Sequence, residues 1–199
     1  MKPSGDFQAR IGKSIKTSIE VEQALLGDSN TVGEIASACH AIVSAFQQGN
    51  KVLLFGNGGS AADAQHIAAD FVGRFAFNRA ALAAIALGVN GSSLTAIGND
   101  YGFEQVFARQ VEALGRAGDV AVGISTSGNS PNVLQGLATA KKKGLVTVAL
   151  TGKTGGKLKG FESVDKCICA PADKTPRIQE CHILIGHVIC EIVEQELFG

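Results

Sequence analysis

Hydrophobic positions along the chain fall into two regimes. Between residues 6 and 49 they recur at helical spacing. Ile11, Ile15, Ile19, Val21, Leu25 and Leu26 form a loose stripe, then "GDSN" interrupts at 27–30. Val32, Ile35, Ala36, Ile42, Val43 and Phe46 form a second stripe, closed by Gly49-Asn50. Two helices are therefore expected before the first strand. Beyond residue 50 the apolar residues gather into short unbroken runs: "KVLLF" at 51–55, "LAAIAL" at 82–87, "DVAVGI" at 119–124, "LVTVAL" at 145–150 and "KCICA" at 166–170. Continuous runs, as opposed to alternating ones, are the pattern of strands covered on both faces. Helical stretches over 60–75, 103–114 and 132–143 separate most of them. The last ends in "AKKKG", whose cations and glycine suit a helix C-terminus. Strand–helix alternation predicts an α/β fold with a parallel five-stranded sheet and right-handed crossovers.

The stretch from Pro176 to Phe198 breaks this rhythm. Pro176 suits the first turn of a helix, with Thr175 as its expected N-cap. Ile178, Ile183, Leu184, Ile185, Val188, Ile189, Ile192, Val193, Leu197 and Phe198 make this helix apolar around most of its circumference. Such a helix needs cover on more than one side, which points to a subunit interface.

Composition narrows the function classes. A chain of 199 residues with 45% apolar and 18% charged residues is globular, and its length favours one domain over 1–199, with a helical arm over about 6–49. Net charge is zero, so neither nucleic acid nor a membrane surface is an expected partner. The opening "MKPSGDFQARIGKSIK" has no apolar core, so no signal peptide is expected there. No apolar run reaches the ~18 residues of a bilayer span. Cys39, Cys167, Cys169, Cys181 and Cys190 are odd in number and lack a C-x-x-C pair, as expected of reduced, mostly buried thiols in the cytoplasm. Cys-Ile-Cys at 167–169 puts two sulfurs on one strand face, where a core role is preferred to a metal role.

Two strand-to-helix loops suit an oxyanion. "GNGGS" at 56–60 lets the backbone approach a ligand, and Ser60 is expected to begin a helix whose free N–H groups favour an anion. It matches neither the dinucleotide pattern G-x-G-x-x-G nor the P-loop, and a plain tight turn is the alternative. "STSGNSP" at 125–131 gathers four hydroxyls round one glycine, with Pro131 at the start of the next helix. That makes a phosphate cradle needing no lysine. In open parallel sheets ligands bind where these loops lie, at the carboxyl ends of strands. Downstream of the first loop, His66 and Asp70 stand four residues apart and share a helix face. The pair suits a metal or proton transfer, with a purely structural pairing as the alternative.

The combination is more specific than its parts. G-N-G-G-S-A-A-D-A-Q-H at 56–66, A-I-G-N-D-Y at 96–101, S-T-S-G-N-S at 125–130 and T-P-R-I-Q-E at 175–180 together resemble the phosphoheptose isomerase family of the sugar isomerase (SIS) domain superfamily, over nearly the whole chain. The resemblance implies a three-layer αβα sandwich and a homotetramer with active sites between subunits. It implies conversion of sedoheptulose 7-phosphate to D-glycero-D-manno-heptose 7-phosphate, early in heptose supply for lipopolysaccharide. By resemblance Ser60, Ser125, Thr126, Ser127 and Ser130 hold the phosphate. Asn57, Gly58, Gly59, Asn99 and Asp100 line the sugar pocket. Zinc is held at positions matching His66, Asp70, Gln179 and His187, with the base at position 70 and the acid at His187.

The chemistry is coherent. An aldose–ketose isomerase moves a proton between adjacent carbons through an enediol, and needs a base and an oxygen-facing donor. A divalent ion would polarise the carbonyl; the donor types accept zinc but also other divalent ions. Gln179 and His187 raise a geometric problem, because eight residues of helix rise about 12 Å. Either the helix starts after Gln179, or the residues come from different subunits; the apolar final helix agrees with the second. The alternative for His187 is a buried pair with Glu191, and His182 has no role in the family and reads as structural. Asp70 departs from the family's usual glutamate, and one methylene fewer stops the carboxylate roughly 1.5 Å short. Two rival readings follow: a non-catalytic regulator like the DnaA initiator-associating protein, which has lost the metal and acid–base residues, or a sugar-phosphate-sensing SIS domain, for whose usual second domain the chain leaves no room.

Overall fold

The interruption at 27–30 is the work of one side chain. Asp28 ends α1 (Phe7–Gly27) and caps α2 (Ser29–Gln47): its Oδ1 accepts the Asn30 and Thr31 N–H groups at 3.1 and 3.4 Å, and its Oδ2 accepts the Thr31 hydroxyl at 2.6 Å. The computed structural model describes residues 6–199. After the helical pair come β1 (Val52–Gly56), α3 (Gly59–Val72), β2 (Ala84–Ala86), α4 (Gly91–Tyr101) and a 3₁₀ turn at Phe103–Gln105. Then follow α5 (Val106–Leu114), β3 (Val120–Ser125), α6 (Pro131–Lys142), β4 (Val146–Thr151), β5 (Lys166–Cys169) and α7 (Thr175–Phe198).

The five strands form one all-parallel sheet in the order β2-β1-β3-β4-β5. β1 and β3 are buried along their whole length, which is why their sequences are apolar without alternation. Alternate residues nonetheless serve two cores. Val52, Leu54, Val122 and Ile124 pack under α2, α3 and α7; Leu53, Phe55, Ala121 and Ala149 pack under α5 and α6. The result is three layers with helices on both faces. Two glycines bring α6 down onto the sheet: a Cβ at Gly123 would meet Leu137 Cδ1 at 2.9 Å, and one at Gly136 would meet Phe55 Cε2 at 2.8 Å.

Three details differ from the sequence expectation. Residues 91–101 form a helix that is not expected from the sequence; none of its residues is fully buried, and it leans on the core only through half-buried Leu94 and Ile97. α3 starts at Gly59, with Gly58 at φ +57° turning the chain into it. α7 starts at Thr175 itself; Lys174 is the cap position, without a side-chain capping bond.

α7 buries Ile178, Cys181, Ile185, Ile189 and Val193, while Leu184, Val188, Ile192 and Phe198 remain exposed on the single chain. Two polar residues of α7 are buried as well. The His182 ring is fully buried, and its Nε2 stands 3.1 Å from the Thr151 carbonyl oxygen; burial holds the imidazole neutral, with its pKa lowered to about 4. Glu194 accepts the backbone N–H groups of Phe75, Ala76 and Phe77 at 3.0, 2.5 and 3.0 Å, and Arg79 Nε at 2.8 Å. Arg79 also donates to the carbonyls of Asp70 and Phe71, at 2.9 and 2.8 Å. This network ties the segment after α3 to α7. Burial pushes the Glu194 carboxyl up, but the three backbone donors and Arg79 outweigh it and hold the pKa down to about 2.

Removing one partner of a buried, fully hydrogen-bonded charge leaves the other unpaired, at a cost of about 3–5 kcal/mol. Glu194→Gln is therefore expected to lower the unfolding free energy by an amount approaching that range. The folded-state pKa of Glu194 is depressed, so its contribution is full above the ordinary value of 4.5 and fades as pH falls towards about 2. Thermal melts of both proteins across that window check this: the gap between them should narrow with acidification.

Candidate active site

The sheet order places a topological switch between β1 and β3. The chain leaves β1 for α3 on one face of the sheet and leaves β3 for α6 on the other, so the two loops diverge and open a crevice at the strands' carboxyl ends. A cavity of about 300 Å³ lies there, walled by Asn57–Ser60 from the first loop, Ser125, Thr126 and Ser130 from the second, and Thr175 and Gln179 from α7. Among the described residues, no cationic side chain lines it. Any anion it takes must be held by hydroxyls and by the N-termini of α3 and α6.

The loop residues are held in place locally. Ser125 and Ser60 are nearly fully buried, and the Ser125 and Ser130 hydroxyls lie 2.9 Å apart. Asn57 exchanges two amide hydrogen bonds of 2.9 Å with buried Asn132 of α6, which locks the two loops together. Gly59 lies so close to α7 that a Cβ there would stand 2.3 Å from Gln179 Nε2. Ser127 is exposed and its hydroxyl accepts the Asn129 N–H at 3.2 Å, so it shapes the turn outside the cavity wall. Asn99 and Asp100 are exposed at the end of α4, joined by a 2.7 Å hydrogen bond, and do not line this cavity.

A second feature lies between α3 and α7. His66, Asp70 and His187 place ligand atoms within 4.8 Å of one another. His66 Nε2 and His187 Nε2 are 3.0 Å apart, and Asp70 Oδ2 is 3.5 and 3.9 Å from them. The close approach rests on Gly186, where a Cβ would meet Ile67 at 2.5 Å; these are the residues beside His187 and His66. Asp70 Oδ2 is buried with no hydrogen-bond partner. Two converging imidazole nitrogens and an orphaned carboxylate oxygen are the donor set of a zinc-type divalent cation. The carboxylate of Asp70 reaches this group despite its shorter side chain.

Gln179 does not join the group within one chain. α7 is already helical at Thr175, so the option that the helix begins after Gln179 is excluded, and His187 stands eight residues further along it. Gln179 lies instead in the loop cavity. Sequence reasoning missed four contributors. Thr175 reads as a cap yet lines the cavity, Asn132 secures Asn57, and Glu194 with Arg79 ties down the backbone of Asp70. Asp63, one turn before His66, also keeps a buried Oδ2 without a partner; burial raises its pKa, and His66 opposes that.

Comparison with known proteins agrees with this architecture. Residues 23–152 match the SIS domain family. Phosphoheptose isomerase 2 of Campylobacter jejuni is 56% identical over 182 residues, 92% of this chain and 90% of its own length. The phosphoheptose isomerase of Sulfurimonas denitrificans is 50% identical over 189 residues, 95% of this chain and 96% of its own. The structure of a phosphoheptose isomerase from Neisseria gonorrhoeae superposes with a TM-score of 0.88 at 42% identity, covering 96% of this chain and all of that one.

Gly186→Ala tests the geometry of the donor group. The added methyl overpacks α3 against α7, at about 1–3 kcal/mol, and separates the two imidazoles. Zinc affinity, measured by competition with a chromophoric chelator, should fall at least tenfold while the far-ultraviolet dichroism of the folded protein is retained.

Proposed function

The chain belongs to the phosphoheptose isomerase family of SIS-domain proteins, and from that premise we propose that it converts sedoheptulose 7-phosphate to D-glycero-D-manno-heptose 7-phosphate. The observation that carries the reading is the meeting of His66, Asp70 and His187, drawn from two helices far apart in sequence that also wall a neutral anion cradle at their N-terminal ends. The non-catalytic alternative rested on Asp70 being too short, and Asp70 Oδ2 stands 3.5 Å from His66 Nε2. We read 1–199 as a single SIS domain of the cytoplasm, supplying heptose for lipopolysaccharide.

The phosphate end of the sugar sits between the two loops, held by Ser60, Ser125, Thr126 and Ser130 and by the N–H groups of α3 and α6. Ser127 supports the second loop, and Asn57 with Asn132 fixes the spacing of both. Asn99 and Asp100 belong to the sugar end. The carboxylate of Asp70 takes a proton from C1 and returns one to C2, while His187 gives a proton to the C2 oxygen and the C1 hydroxyl gives one up. His66, Asp70 and His187 would hold a divalent ion, which when bound polarises the carbonyl and the enediolate oxygens.

The working form is a homotetramer with shared sites. Two observations support assembly: Phe7, Ile11, Ile15 and Ile19 present an exposed apolar stripe on α1, and Leu184, Val188 and Ile192 present another on α7. A copy of Gln179 from a neighbouring subunit then completes the ligand set that one chain leaves short.

Two experiments test this. Turnover of sedoheptulose 7-phosphate should vanish with a chelator and return with zinc, and His187→Ala should cost about 100-fold or more in kcat; a zinc-loaded native protein without turnover would overturn the reading. Gln179→Ala and His187→Ala, each inactive alone, should recover activity when their subunits are mixed and exchanged. Failure to recover after proven exchange would place the site within one chain.

A further inference from the structure

We propose that Cys167 and Cys169 form a dithiol that a hydroperoxide closes, reversibly, into a disulfide within β5. The two sulfurs are 3.9 Å apart on one face of the strand. Both are half-buried, whereas Cys39, Cys181 and Cys190 are buried in the core. Cys167 still packs against the core under α5 and α6, as expected from sequence, but the pair is not sealed there. They open onto a cavity of about 370 Å³ that Lys153, Lys159 and Glu34 also line. β5 is an edge strand of four residues, paired only with β4, so it is free to pucker.

Reactivity with peroxide needs a thiolate. The hydrogen bond from Cys167 lowers the pKa of Cys169; burial opposes it, and Lys159 adds to the lowering. The same contact raises Cys167, which fits it as the second thiol to react. In the first step Cys169 Sγ attacks a peroxide oxygen. The S–O bond forms, the O–O bond breaks, and the leaving oxygen departs with a proton as water or alcohol. In the second step Cys167 Sγ attacks the sulfenic sulfur. The S–S bond forms, the S–O bond breaks, and hydroxide leaves with the Cys167 proton as water. Two thiols lose two electrons and one peroxide gains them.

Reversibility follows from strand geometry. At a rise of roughly 3.2–3.4 Å per residue, Cα atoms two apart on a strand stand about 6.4–6.8 Å from each other. Disulfides span about 4.4–6.8 Å between Cα atoms. The bond forms only at the upper edge of its range, with β5 bent to help it, and a strained disulfide is readily reduced.

The test treats the intact protein with hydrogen peroxide, denatures it under alkylating conditions and maps the peptides. Two of the five cysteines should become refractory to alkylation. The peptide holding both Cys167 and Cys169 should lose two hydrogens, and dithiothreitol should restore them. In Cys167→Ser, Cys169 should stop at a sulfenic acid that dimedone captures; in Cys169→Ser the remaining thiol should react more slowly. The proposal is overturned if both thiols stay alkylatable at a dose that oxidises free glutathione, if the bridge joins different chains, or if the two serine variants react alike.

Discussion

The contact between α3 and α7 is the constraint on which the chemistry depends. His66 and Asp70 stand on one helix and His187 on the other, and the imidazole nitrogens of His66 and His187 meet across the gap at 3.0 Å. Gly186 lets the backbones approach beside the two histidines. Two turns further along α7, Glu194 fixes the approach with four hydrogen bonds. A carboxylate with 1% of its surface exposed is tolerable only because each lone-pair direction is used. Three of those bonds come from consecutive backbone groups, Phe75 to Phe77, so the carboxylate acts as a mould for the segment that leaves α3. The carbonyl of Asp70 is bound into the same network through Arg79.

The other half of the site obeys a different physics. Among the described residues, the cavity between the loops contains no side-chain cation, so attraction for an anion comes from helix N-termini and hydroxyls in a partly dry crevice. Such a cradle is rigid. Asn57 and Asn132 fix its width across two loops, and Gly59 fixes its depth against Gln179. On the proposed reading, a sugar held there by its phosphate would present its reacting carbons towards α3 and α7, which separates binding from proton transfer.

What was legible in the sequence was what local rules encode. The five apolar runs became the five strands because a parallel sheet covered on both faces removes any need to alternate. The two strand-to-helix loops were visible because glycines and hydroxyls cluster at the ends of β1 and β3, where the structure opens a cavity between them. What stayed hidden lacks a local signature. α4 touches the core only through half-buried Leu94 and Ile97, set among glycines and polar residues, so its period is short and faint. Glu194 and Arg79 lie 115 residues apart, beyond any spacing rule. Ser127 shares its motif with cavity residues, and Asn99 and Asp100 stand in a motif of their own, yet all three are exposed on the single chain. Motif membership places a residue near a site without fixing where its side chain points.

Asp70 shows how far the fold outweighs side-chain length. From sequence, one methylene fewer predicts a carboxylate that stops short. Reach is the sum of side-chain length and backbone position, and the second term belongs to the tertiary structure. Here the backbone of residue 70 is drawn towards α7, because its carbonyl accepts from Arg79 Nη2 at 2.9 Å and Arg79 is held by Glu194. The carboxylate consequently stands within 4 Å of both imidazole nitrogens. Its Oδ2 is left buried without a hydrogen-bond partner. The fold carries the cost of an unpaired carboxylate oxygen at the one point where a cation, when bound, would satisfy it.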